Sequence, residues 1–153
     1  MFKKVYIDTS VFGGYFDSEF EKNTKPFFEK LFKNEIKIII SDILELEIYR
    51  APLFIQDFYE SIPKNLCLKV ELNDEIRTLA YQYIQEKVVG KTSIADCQHI
   101  AIATIANADV LVSWNFKHIV NLERIRGYNA INLKNGYQIT EIRTPREIFN
   151  YEQ

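Results

Sequence analysis

Glycine and proline are scarce in this chain, five and four residues among 153, and no stretch is rich in either. That scarcity argues against a long flexible linker and leaves one compact domain over residues 1–153 as the expectation. Cysteine is nearly absent. Cys67 and Cys97 lack the CxxC spacing of a metal knuckle or redox pair and fall in a predicted strand and a predicted helix, which reads as two buried free thiols. Long hydrophobic runs are missing too: stretches such as Ile38–Ile40 fall far short of the roughly 20 apolar residues that a membrane helix needs. The opening MFKKVYID passes straight into a strand pattern with no secretory leader, so the expectation is a soluble, cytoplasmic chain with no membrane partner. Neither sign of charge dominates, with 19 Lys and Arg against 21 Asp and Glu, a net charge of −2, and no polybasic tail. Net charge therefore neither announces nor excludes a nucleic-acid partner, because a local basic rim or a bound cation can reverse the potential at a site.

What the chain does have is apolar and aromatic side chains, 47% and 14% of the residues, enough for a real core. They are arranged in alternating patterns. Residues 4–8 (KVYID), 36–41 (IKIIIS), 66–72 (LCLKVEL) and 108–114 (ADVLVSW) read as strands, and 128–133 as a weaker fifth. Between them, residues 19–34, 42–50, 53–61, 74–87 and 93–107 repeat apolar residues at three- and four-residue steps, as helices do. Strand–helix alternation implies right-handed crossovers, hence an α/β fold with a mainly parallel sheet and helices on both faces. Gly13-Gly14 predicts a tight bend after the first strand, Pro52 and Pro63 punctuate the helices around residues 42–61, and the tail predicts an edge strand at 137–142 and a last helix from about Pro145.

The acids carry the chemistry. Asp8 ends the first strand, at the edge where open α/β sheets bind ligands. Its alternative role is to cap the following turn. Thr9 and Ser10 offer hydroxyls that can hydrogen-bond the carboxylate or act as caps themselves. Glu45 and Glu47 lie on one predicted helix roughly 200° apart, so they cannot serve the same site. Glu47, beside the apolar stripe of Ile43, Leu44 and Ile48, is the candidate, unless both acids belong to a solvated face. Asp96 falls in the first turn of a helix that Thr92 or Ser93 can cap, where the helix dipole favours an ionised carboxylate. His99 shares its face and reads as a hydrogen-bond partner rather than a ligand. Three carboxylates brought together from separate elements repel unless a cation sits among them, so the economical reading is a divalent-metal site. Hard oxygen donors suit Mg²⁺ or Mn²⁺, and the softer His/Cys clusters of zinc are missing.

The strand around Val110–Val112 runs into Ser113, Trp114, Asn115, Phe116, Lys117 and His118 at the same edge. Ser113 and Asn115 offer neutral oxygens for water or phosphate, and Lys117 and His118 can meet a phosphate; an ordinary N-cap at Asn115 is the competing reading. Asp109, at the start of that strand, belongs at the far edge. Of the aromatics nearby, Phe12, Tyr15, Phe16, Trp114 and Phe116, most are expected in the core, with base stacking or a partner helix as their other use.

With these residues placed, the chain resembles the PIN-domain family, and specifically its VapC-like toxin members. The resemblance rests on Asp-Thr-Ser at residues 8–10, a Ser-x₅-Glu run from Ser41 to Glu47, Ala-Asp-x-x-His-x-Ala at residues 95–101, and Leu-Val-Ser-x-Asn-Phe at residues 111–116. No one motif is specific; their order and spacing together are. The resemblance implies a PIN-like three-layer α/β/α fold with about five strands, a Mg²⁺- or Mn²⁺-dependent ribonuclease acting on single-stranded RNA, and Asp8, Glu47 and Asp96 as metal-binding acids. It also implies a small antitoxin protein that covers the site, and a homodimer. One departure matters: many members carry an Asp where this chain has Asn115, which weakens retention of a second cation while leaving one feasible.

In this reading Asp8, Glu47, Asp96 and Asn115 form the catalytic set, Thr9, Ser10, Ser113 and Lys117 position the substrate, and activated water attacks phosphorus without a protein nucleophile. The alternative is a non-catalytic PIN-like module that binds RNA or protein. A phosphohydrolase with Asp8 as covalent nucleophile ranks behind both, because such enzymes resembling the haloacid-dehalogenase family want a second Asp two residues on, where Ser10 stands.

Overall fold

The computed structural model describes residues 2–89 and 94–152, and the side chains of residues 149–152 are outside the description. Five strands, β1 (Lys4–Ile7), β2 (Lys37–Ser41), β3 (Cys67–Val70), β4 (Val110–Val112) and β5 (Ile142–Arg143), form one parallel sheet in the order β3-β2-β1-β4-β5. Every pairing is parallel, with Val5 opposite both Ile38 and Val110. The order reverses beside β1: the chain moves outward through β2 and β3, then returns to pair β4 on the other side. A crevice opens at such a reversal, at the C-terminal ends of the strands. Asp8 stands at the end of β1 there.

Among the described residues eight α-helices surround the sheet: α1 (Thr9–Gly14), α2 (Glu21–Phe32), α3 (Asp42–Tyr49), α4 (Leu53–Ser61), α5 (Asp74–Gln85), α6 (Ile94–Ile105), α7 (Leu122–Lys134) and α8 (Pro145–Glu152). Because strand side chains alternate between faces, the sheet divides its apolar residues between two cores. Val5, Ile7, Ile38, Ile40, Val110 and Val112 pack with the α1, α2 and α4 side. Tyr6, Ile39 and Leu111 pack with α5, α6 and α7. No helix among the described residues is long and apolar enough to cross a membrane.

The structure corrects three local expectations. Residues 128–133 are not a fifth strand but part of α7: Asn121 caps that helix by accepting from Arg124 N–H at 3.2 Å, and Tyr128, Ile131 and Asn132 bury at helical spacing. The expected bend at Gly13-Gly14 is instead the end of the short helix α1. In the tail, only Ile142–Arg143 pair with β4, at the far end of the expected strand. The expected caps of α6, Thr92 and Ser93, lie outside the described residues.

Candidate active site

Period two along β1 sends Tyr6 and Asp8 to the same face, the one covered by α6. Asp8 is 4% exposed and takes two hydroxyl donors: Ser10 Oγ at 2.5 Å and Ser113 Oγ at 2.7 Å. Each serine is itself fixed by the turn after β4, since Trp114 N–H donates to Ser10 Oγ at 2.9 Å and Asn115 N–H to Ser113 Oγ at 2.9 Å. The sequence thus folds so that the ends of β1 and β4 grip one carboxylate. Burial nonetheless lifts the Asp8 carboxyl above the ordinary carboxylate range, against the charge of His99 and the two serine hydrogen bonds, and with Asp96 adding to the rise.

Asp96 lies in the first turn of α6, half-buried. Burial raises its pKa as well; His99, His118 and a side-chain hydrogen bond from Asn115 oppose the shift, and Glu47 reinforces it. The acids therefore act on one another: Asp96 on Asp8, and Glu47 on Asp96.

The two glutamates of α3 part as helical geometry requires. Glu45 turns to the sheet edge, where it takes Lys69 Nζ at 2.6 Å and Tyr59 Oη at 2.9 Å. Glu47, with its side chain 37% exposed, meets His99 Nε2. His99 is only 1% exposed, and its Nδ1 lies 2.5 Å from the Tyr6 hydroxyl. Burial alone would drive the imidazolium down, but the hydrogen bond to Glu47 and the charges of Glu47, Asp8 and Asp96 outweigh it and raise its pKa. Of the three acids, Glu47 is the one hydrogen-bonded to His99, while Asp8 and Asp96 act on it through their charge. Sequence reading assigned His99 a partner role but passed over Tyr6; its signal was a polar-tipped ring in an otherwise aliphatic strand, two residues before Asp8.

Asn115 Oδ1 accepts from His118 N–H at 3.0 Å, so it caps the turn over residues 115–118, and no helix follows until Asn121. Phe116 and Lys117 are exposed on this turn. Of the aromatics near the edge, Phe12 is fully buried, whereas Trp114 stacks on Phe20 at 4.5 Å. Asp109 lies at the opposite edge, accepting from the N–H groups of Lys3 and Lys4.

Among the described residues no three His, Cys, Asp or Glu side chains form a closed cluster for a metal; Glu47 rests on His99. Carboxylate oxygens are the hard donors that suit a divalent cation. The acids are mutually repelling oxygens, and among the described residues the buried side-chain N and O atoms without a partner are Thr9 Oγ1, next to Asp8, and His118 Nδ1, on a residue whose charge acts on Asp96. Unsatisfied polar atoms collect where a ligand or water belongs.

An open parallel sheet with mutually interacting acids at its topological switch defines an α/β protein with a candidate ligand site at that edge. The PIN-domain family model matches residues 5–136, and this chain belongs to that family. No curated protein matches it. Among solved structures, it is similar to the crystal structure of VapBC2 from Rickettsia felis bound to a DNA fragment from their promoter, with a TM-score of 0.55 and 15% identity over 92% of this chain and 98% of the other. That likeness concerns the fold.

Proposed function

We propose that this chain is a Mg²⁺- or Mn²⁺-dependent endoribonuclease that hydrolyses phosphodiesters of single-stranded RNA, as the toxin of a toxin–antitoxin pair. The observation that carries the reading is the electrostatic grouping of Asp8, Glu47 and Asp96 around buried His99, in a PIN-family chain, at the sheet's switch point. Asp8, Glu47 and Asp96 would hold the cation, which when bound supplies Lewis-acid polarisation of phosphate and a lowered pKa of water. Ser10 and Ser113 keep Asp8 oriented. Asn115 restrains Asp96 and holds the turn that presents Lys117, whose ammonium meets a substrate phosphate. Thr9 has a hydroxyl free for water or substrate.

A small antitoxin protein is the proposed partner. The solved VapBC2 assembly supports it, and so do exposed apolar side chains on α3, α4 and the turn after α1, Phe16, Leu46, Tyr49, Leu53 and Phe54, which a partner or the second subunit of a homodimer would cover. The chain is further proposed to act as a single domain in the cytoplasm.

Cleavage of a mixed-sequence single-stranded RNA with Mg²⁺ or Mn²⁺ tests the activity, comparing wild type with Asp96→Asn. Activity that Asp96→Asn abolishes supports the reading; cleavage indifferent to the substitution is a contaminant and sinks it. The second reading is a non-catalytic RNA- or protein-binding PIN-like module. Asn115 and the absence of a closed acid cluster among the described residues favour it, and RNA binding without cleavage by wild type would establish it.

A further inference from the structure

We propose that Tyr6 and His99 are positioning residues for the acidic site, acting through a buried hydrogen-bond chain from Ser41 through Tyr6 and His99 to Glu47. The inference deepens the metal-dependent reading and rests on it.

The chain begins and ends on one helix. Ser41 caps α3, its Oγ accepting from Leu44 N–H at 3.1 Å, and the same Oγ lies 3.0 Å from the Tyr6 hydroxyl. Tyr6 reaches His99 Nδ1 at 2.5 Å, and His99 Nε2 returns to Glu47 in α3. Each link belongs to an element that carries an acid: β1 places Tyr6 two residues before Asp8, α6 places His99 three residues after Asp96, and α3 carries Glu47 itself. The circuit therefore fixes the relative position of all three acid-bearing elements.

Burial makes the links consequential. Tyr6 and Ser41 are fully buried and His99 is 1% exposed, so each hydrogen bond is made in a low-dielectric interior where a lost partner leaves an unsatisfied group. A phenylalanine would fill the Tyr6 site among Ile39, Leu79 and Leu111 without a polar atom; the hydroxyl is required by its two partners. With Nδ1 tied to Tyr6, the imidazole is held at the angle that presents Nε2 to Glu47. His99 occupies one oxygen of Glu47, Oε1, and so orients the other for a ligand.

Mn²⁺ titration by isothermal calorimetry on the full chain tests this, using wild type, Tyr6→Phe, His99→Leu, His99→Gln and Tyr83→Phe. Tyr83 is the structural control: it too is fully buried, and its hydroxyl bonds Asn132 rather than any link of the circuit. Tyr6→Phe and His99→Leu are expected to weaken Mn²⁺ binding about 10- to 100-fold, the range for residues that orient metal ligands. His99→Gln, whose amide can still donate to Glu47, recovers part of the affinity. Tyr83→Phe lowers the melting temperature but leaves Mn²⁺ affinity at the wild-type value. Tyr6→Phe that binds Mn²⁺ as tightly as wild type overturns the positioning role alone, whereas wild type that binds no Mn²⁺ overturns both this role and the metal-dependent reading. Should Tyr6→Phe fail to fold, the two His99 variants decide: recovery by Gln supports the role, and equal loss in Gln and Leu overturns it.

Discussion

Ser113 donates its hydroxyl to the Asp8 carboxylate at 2.7 Å across the boundary between β1 and β4, two strands whose bonded residues lie 105 positions apart in sequence. With Ser10 on the other oxygen, both faces of a buried acid are satisfied, yet its pKa remains raised, so the ionised form is held at a cost. Asp8→Asn removes that charge, retains an acceptor for one serine and offers a donor to the other. In EDTA its melting temperature should rise, by about 2–4 °C if roughly 1 kcal/mol is released in a protein of this size, while RNA cleavage is lost. Thermal melts of the two proteins check this; a lower melting temperature for the variant would show that Asp8 is not held at a cost.

Asn115→Asp tests the missing acid. Its Oδ1 keeps the acceptor used by His118 N–H, so the turn survives, but the side-chain donor to Asp96 becomes a like charge. Without metal the variant should melt below wild type, and saturating Mn²⁺ should raise its melting temperature by more than it raises that of wild type. Paired melts with EDTA and with Mn²⁺ decide; equal Mn²⁺-induced shifts would place Asn115 outside the cation's reach.

Gly14→Ala probes how the turn after β4 is anchored to α2. A Cβ at this position would sit 2.7 Å from Trp114 Nε1 and 2.9 Å from Thr24 Oγ1, the two atoms joined by a 2.8 Å hydrogen bond. Ala improves helix propensity by about 1 kcal/mol, but the displaced indole and broken bond should outweigh that, leaving the variant about 1–3 kcal/mol less stable. Trp114 is the sole tryptophan, so its emission reports the movement directly. An unshifted spectrum with unchanged stability would refute the tight fit.

Glu45 gives a pH signature separate from the acidic site. Burial pushes its carboxyl up, but hydrogen bonds from Lys69 and Tyr59 and the charge of Lys69 outweigh it and lower the pKa. A carboxylate depressed in the folded state contributes stability above its unfolded pKa and loses that contribution as pH falls through its folded value. The melting-temperature gap between wild type and Glu45→Gln should therefore be full at neutral pH, still present near the ordinary value of about 4.3, and closed below the depressed one. Lys69 is half-exposed, so the full gap should be only about 2 °C, near the weak end for partly solvated pairs. A gap that is constant with pH would assign the effect to packing.

The parallel sheet and its helices were legible from apolar periodicity, because Ile38–Ile40 and Val110–Val112 are buried on both faces and their neighbours repeat at helical steps. Residues 128–133 misled because Tyr and Ile favour strands in isolation, whereas the decisive cap, Asn121, lies seven positions upstream of Tyr128. The separation of Glu45 from Glu47 followed from helical geometry alone. The circuit through Tyr6 did not: hydrogen bonds spanning 35, 93 and 52 positions leave no local pattern in sequence.

The sheet order has a consequence for the protein's own synthesis. β1 is made first but lies in the middle, and one of its two neighbours is β4. A nascent chain stopped short of β4 has Asp8 but lacks Ser113, Asn115 and one wall of its central strand, so β1 waits for a partner made more than a hundred residues later. Long-range pairing of this kind is slow and late. The ribosome must therefore have passed Ser113 before the acids can assemble, and every prematurely terminated fragment that ends before β4 is born without a complete site.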